Sequence, residues 1–277
     1  MQLPTEKLAA LLLAVQPFLG MGSALALEPR QGGCPQIHIF GARETTVSPG
    51  YGSAGSVVDS IRAAFPGATS EAITYPACGG QSSCGGISYG DSARQGTAAV
   101  AQAVNSFHQR CPNSQIVLVG YSQGGQIMDN ALCGGTDPGS GITNPAVPIN
   151  ASAVNAIKAA IFMGSPRYRN GLAGNVGTCT AQGFASRPAG FVCPSADKLR
   201  NYCDAQDPYC CTGNDANHHQ AYGRIYGQDA LTFVRGRLSS VRRSGMERPD
   251  LLLAGYLQGA EPLVLSVPVR LIREKVV

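Results

Sequence analysis

Charge is scarce in this 277-residue chain: only 14% of its residues are Asp, Glu, Lys or Arg, and the formal net charge is +4. No run of lysine or arginine lies within the main body, so the electrostatic footprint of a nucleic-acid binder is missing and no such partner is expected. Beyond the N-terminus no apolar segment is long enough to cross a bilayer, which argues against a membrane partner. No repeat stands out, and the 35 glycines and 18 prolines follow no fixed period, so they mark turns between many short elements and not collagen-like or linker sequence. The C-x-x-C ladder of a structural zinc site is also missing, although Cys210 and Cys211 lie near His218 and His219; no metal is expected. What remains is 44% hydrophobic, enough for one or two compact domains with a sizeable core.

Residues 1–26 open with Lys7, continue into the apolar run Leu8 to Val15 and reach Ala24-Leu25-Ala26, a small-x-small cleavage pattern. This is the layout of a signal peptide, followed by a short propeptide or extension over 27–33. A membrane anchor is the competing reading, but Gln16 and Pro17 interrupt the run. An exported, extracellular chain gives its ten cysteines a role as up to five disulfides. Export would also make Asn150-Ala151-Ser152 a glycosylation sequon, against the plainer reading of an unused loop asparagine. From about residue 240 the character changes to polar and basic, then apolar with Pro262 and Pro268, so 240–277 is expected not to continue the fold.

Strand-like segments alternate with helical ones. Gln36 to Phe40, Glu71 to Tyr75, Gln115 to Gly120 and Ala159 to Met163 read as strands; Ser56 to Phe65, Asp91 to Arg110 and Gly124 to Leu132 have helical spacing. Such alternation predicts an α/β fold, a mostly parallel sheet covered on both faces, with ligands bound beyond the carboxyl ends of the strands. Residues 164–228 are rich in cysteine, glycine and proline with little periodicity, and a loop-rich stretch across the sheet's active edge is expected there.

Gly120-Tyr121-Ser122-Gln123-Gly124 is a G-x-S-x-G between an apolar strand and a helix, the context of a nucleophile elbow. A serine hydroxyl needs a base to take its proton, and in the α/β-hydrolase order acid and base follow the serine. Only His218 and His219 follow it, and their adjacency lets at most one point inward; the residues alone do not choose. His38, on the first strand, and His108, in the long helix, precede the serine and are expected to be packed or surface residues. Among Asp204, Asp207 and Asp215, Asp207 lies between Cys203 and Cys210 and precedes Pro208, which would hold its carboxylate still; a solvated loop position suits Asp204 and Asp215 better. The Gln123 N–H is the first candidate oxyanion donor, and the segment Gly41 to Thr46 the source of a second.

The blocks CPQIHIFGARETT, YPACGGQSSCGG, IVLVGYSQGGQIMDNALCGG, AAIFMGSPR, RPAGFVCPSADK and YCDAQDPYCCTGNDANHHQAYG resemble the secreted fungal acetyl xylan esterases of the cutinase family, from about Cys34 to Leu238. The resemblance implies a small single-domain α/β-hydrolase over 34–239, with a five-stranded parallel sheet, no lid and neither cofactor nor metal. It further implies a monomer acting with water on acetylated xylan or xylo-oligosaccharide. By matched position it makes Ser122 the nucleophile, Asp207 the acid, His219 the base and Thr45 with Gln123 the oxyanion hole. It also implies the disulfides Cys34–Cys111, Cys78–Cys84 and Cys203–Cys210; Cys133–Cys211 and Cys179–Cys193 are the remaining expectation. Two departures from the family pattern are the second histidine of Asn217-His218-His219 and the tail after residue 239. Polar, glycine-rich loops (GGQSSCGGISYG, TGNDAN) favour a small acyl group; cutinase, or a broad short-chain esterase, is the alternative enzyme, and a binding protein without catalysis the alternative class.

Overall fold

The structure, a computed structural model, describes residues 33–238. The expected signal peptide, most of the 27–33 extension and the 240–277 tail lie outside the described residues. Six parallel strands form one sheet in the order β2-β1-β3-β4-β6-β5, comprising β1 (Ile37–Ala42), β2 (Thr69–Ala72), β3 (Gln115–Tyr121), β4 (Ile157–Met163), β5 (Asn175–Val176) and β6 (Leu199–Tyr202). Helices α1 (Gly55–Ala64), α2 (Tyr89–Arg110), α3 (Gln123–Cys133), α4 (Ala151–Ala156), α5 (Ala216–His219) and α6 (Tyr222–Arg237) follow in the gaps. The α/β expectation holds. The sixth strand is the two-residue β5 at the edge, too short to register as a periodicity.

Side chains alternate across β3: Ile116 and Leu118 join a core beneath α2, α3 and α4, while Val117, Val119 and Tyr121 join a core beneath α1 and α6. Both faces are covered, so β1 is buried from end to end. That burial includes His38, whose ring stacks 4.0 Å from Phe107 and whose Nδ1 lies 2.7 Å from Thr69 Oγ1. Burial, with Arg110 nearby, lowers its pKa from 6.5 to about 4, so it is a packed neutral histidine.

Strand β2 spans Thr69–Ala72, starting two residues and ending three residues before the expected segment; Ile73, whose N–H still donates to the Gly41 carbonyl at 2.8 Å, and Tyr75 are buried in the core that α2 shares. The stretch 164–228 is loop-rich as expected, yet it also holds β6, α5 and the start of α6. Three disulfides fall where the resemblance put them, Cys34–Cys111, Cys78–Cys84 and Cys203–Cys210. The other two are exchanged: Cys133 pairs with Cys193 and Cys179 with Cys211. The sheet explains the correction. Cys133 and Cys193 pack in the core under α2 and α3, Cys179 and Cys211 in the core on the opposite face. The expected pairs would have had to span the sheet, whereas bridged Cα atoms lie within about 7 Å of each other. The sulfurs of Cys179, Cys203 and Cys211 cluster within 4.8 Å, but each is consumed by a disulfide and offers no thiolate to a metal.

Candidate active site

Ser122 stands at the turn between β3, in the middle of the sheet, and α3, with φ 52° and ψ −118°. Such a backbone is strained for a residue with a Cβ and persists because its surroundings over-determine it. A Cβ on Gly120 would lie 2.5 Å from the Gly124 carbonyl oxygen, and one on Gly124 would lie 2.2 Å from that of Ala42. Strand and helix can therefore meet this tightly only with glycine at both positions, as the elbow motif requires. The Ser122 N–H donates to the Met163 carbonyl at 2.8 Å, tying the turn to β4.

Asp207 is fully buried within the Cys203–Cys210 loop. Its Oδ1 accepts the N–H groups of Tyr209 at 2.7 Å and Cys210 at 3.1 Å, and its Oδ2 lies 2.6 Å from His219 Nδ1. Burial opposes ionisation of this carboxyl, but the hydrogen bond and charge of His219 and the two N–H groups outweigh it, holding Asp207 below its ordinary pKa. An ionised Asp207 only accepts, so Nδ1 of His219 carries the proton and Nε2 is left as the acceptor, a tautomer inferred from the network.

His219 closes the four-residue helix α5, whose first N–H groups are capped by the Asp215 carboxylate. The Tyr121 hydroxyl donates to the His219 carbonyl at 2.7 Å, and the Tyr209 ring lies 4.6 Å from the imidazole. His219 and Ser122 border one open cleft of about 380 Å³ with Thr45, Gln81, Tyr89, Phe184 and Tyr209. His218 is not on that cleft. It turns to Asp204, Nε2 to Oδ2 2.8 Å, so the adjacent histidines each meet a different aspartate. Of the two histidines, His219 is the one that borders the cleft with Ser122. Asp204 corrects an expectation: it is 4% exposed and not solvated, accepting the N–H and hydroxyl of Thr178 and the hydroxyl of Tyr226. Burial works against its ionisation, and these donors with His218 reverse it to a lowered pKa. Asp215 is exposed, and its work is capping α5.

Thr45 also faces the cleft, on a loop clamped by Arg43, which donates to the carbonyls of Val47, Tyr75 and Pro76, and by buried Glu44, which accepts from Ser53. As the first residue of α3, Gln123 has an N–H outside the intrahelical ladder. Its buried side chain donates to the carbonyls of Cys78 and Tyr89 and accepts from Ser92, fastening the Cys78–Cys84 loop to the turn. Sequence reasoning missed the Arg43 clamp, the Gln123 side-chain bonds and the Asp204–His218 pair. The blocks quoted above contain these residues, but nothing in their spacing shows these bonds.

The cutinase family profile matches residues 33–238. The chain belongs to the cutinase family. Cutinase 11 of Verticillium dahliae is 73% identical, covering 84% of this chain and 77% of its own length. The acetylxylan esterase of Hypocrea jecorina is 64% identical, over 86% of this chain and 79% of its own. The solved catalytic core domain of acetyl xylan esterase from Trichoderma reesei superposes with a TM-score of 0.73 at 68% identity, over 74% of this chain and all of the other.

Proposed function

We propose that this cutinase-family chain is a secreted acetyl xylan esterase, in which Ser122 attacks the acetyl carbonyl, His219 is the base and Asp207 holds the base. As the Oγ–C bond forms, the Oγ proton passes to His219 Nε2, and the charge left on the carbonyl oxygen is met by donors at Gln123 and Thr45. Asp207 stabilises the imidazolium without taking its proton. Collapse breaks the bond from the carbonyl carbon to the sugar oxygen, which takes the proton from Nε2; water, activated by the same imidazole, then releases acetate from Ser122.

The observation that carries the choice of acyl group is the lining of the cleft. Beside Ser122 and His219 stand Glu44, Thr45, Thr46, Gln81, Gln220, a glycine and three aromatic residues, with no Leu, Ile, Val or Met. An acetyl group needs no apolar channel, whereas a long acyl chain would leave its methylenes against polar side chains at about 0.8 kcal/mol each in forgone burial. The high identity to a protein named cutinase favours the second reading, a polyester hydrolase. Acetate release from acetylated xylan, measured beside hydrolysis of a long-chain ester, separates them: preference for the long chain would refute the first reading. Five disulfides among the described residues support export. The exposed Asn150, at the start of α4, is open to a glycan.

A further inference from the structure

The cleft does not end at its aromatic wall. Tyr89 and Phe184 pack edge to face, centroids 5.2 Å apart, and both also border a second depression of about 380 Å³. Its sides are the turn Pro138–Ser140, Gly90, Ala185 and Ser186. The turn can lie there because Gly90 has no side chain: a Cβ would sit 2.2 Å from the Gly139 carbonyl oxygen. The floor is a polar network. Asp137 accepts from Gln126, Asn130 and Ser140, Tyr89 donates to Gln126, and the Arg167 guanidinium lies 3.6 Å from Asp137. Every member of that floor except Tyr89 is buried, so the depression is preformed.

On the ridge between the two depressions Phe184 is 62% exposed. A single exposed phenyl ring is ordinary on a protein surface. This one belongs, with Tyr89, to the linings of both depressions. A pyranose has a face of C–H groups and a rim of hydroxyls. The C–H face suits the electron-rich face of a phenyl ring. Ser186 lines the same depression, and its Oγ accepts from Arg169 at 3.3 Å and keeps its own proton to donate to a hydroxyl.

We propose that this second depression is a subsite for the xylopyranose unit adjoining the one whose acetyl ester lies at Ser122, with Phe184 as its stacking face. The proposal rests on the acetyl xylan reading. It makes the enzyme one that recognises a length of chain, with a lower KM for an acetylated oligosaccharide than for an acetylated monosaccharide.

The test compares acetylated xylo-oligosaccharide, an acetylated methyl xyloside and 4-nitrophenyl acetate in the wild type, Phe184→Ala, Phe184→Trp and Gly139→Phe. One stacking contact corresponds to roughly 2- to 13-fold in affinity. Phe184→Ala should therefore raise KM for the oligosaccharide by about that factor more than for either small ester, and Phe184→Trp should restore it. Gly139→Phe fills the depression from the opposite wall; a Cβ there meets only Asp137 Oδ1 at 3.9 Å, and the backbone φ is not positive. It should show the same selective rise. Equal losses on all three substrates, or none, would overturn the subsite while leaving the esterase reading intact. A wild type that cleaves long-chain esters but releases no acetate from xylan would overturn both.

Discussion

Replacing Asp207 by Asn removes one charge and almost no volume, which makes it the sharpest probe of the proposed base. In the wild type Oδ1 accepts two backbone N–H groups and Oδ2 faces His219 Nδ1. The asparagine has one oxygen, and the side chain can turn it either way. Facing Tyr209 and Cys210 keeps both backbone bonds; facing the imidazole would set the NH2 against two N–H donors and leave them unsatisfied, at about 1–3 kcal/mol each. The first orientation wins, so an NH2 faces Nδ1. The imidazole then becomes the other tautomer, with its proton on Nε2, and cannot accept one from Ser122. Loss of kcat should be on the order of ten-thousand-fold, about 5 kcal/mol of transition-state stabilisation, with KM nearly unchanged. Steady-state kinetics on 4-nitrophenyl acetate with a melting curve would show a folded, inactive variant. The control is Asp204→Asn, at the neighbouring pair off the cleft, where a loss of stability and less than a tenfold loss of kcat is expected. If Asp207→Asn kept a tenth of the activity, or Asp204→Asn cost as much, the assignment would be wrong.

Ser122→Gly should melt about 2–4 °C above Ser122→Ala, because glycine relieves a positive φ that alanine retains, a difference of about 1 kcal/mol in a domain of this size; equal melting temperatures would mean the elbow is unstrained. His38 has its pKa lowered to about 4 in the fold from 6.5. The unfolded chain therefore binds the extra proton between those values, and the contribution is complete above pH 6.5 and lost as pH falls toward 4. Asp204 and Asp207, both lowered from 3.8, add a second loss below that value. Denaturant midpoints of the wild type should decline across the upper window and those of His38→Phe should not; parallel profiles would count against the buried histidine. Peptide mapping without reduction should recover Cys133 linked to Cys193 and Cys179 to Cys211. Removing the first pair should cost up to about 4 kcal/mol, the loop-closure value for a sequence separation of 60.

Legibility followed locality. Strands β1, β3 and β4, the long helix α2 and the Ser122 turn were readable because continuous apolar runs, helical spacing and the two glycines each have a local cause. Helix α6 was not, since Gly223, Gly227 and Gly236 dilute its periodicity, and β6 is four residues with no alternation. The order of strands decides which cysteines can meet, and neither the exchanged pairs nor the burial of Asp204 leaves a trace in residue spacing. His218 and His219 are indistinguishable on paper; one backbone turn sends them to different aspartates.

The three residues proposed for catalysis hang from parts of the fold that differ in rank. Ser122 is anchored between the middle strand and a helix whose every residue is buried, while His219 ends a single helical turn that is capped by exposed Asp215 and tied inward through Tyr121 and Asp207, and Asp207 sits in a short stapled loop. Local opening of the histidine's turn costs far less free energy than opening of the sheet. The limit of useful life under heat or denaturant is then a hinge at the rim and not the melting of the core, and amide exchange should be fastest where the base is carried and slowest under the nucleophile. Strengthening the enzyme for harsh conditions would begin at residues 215–221.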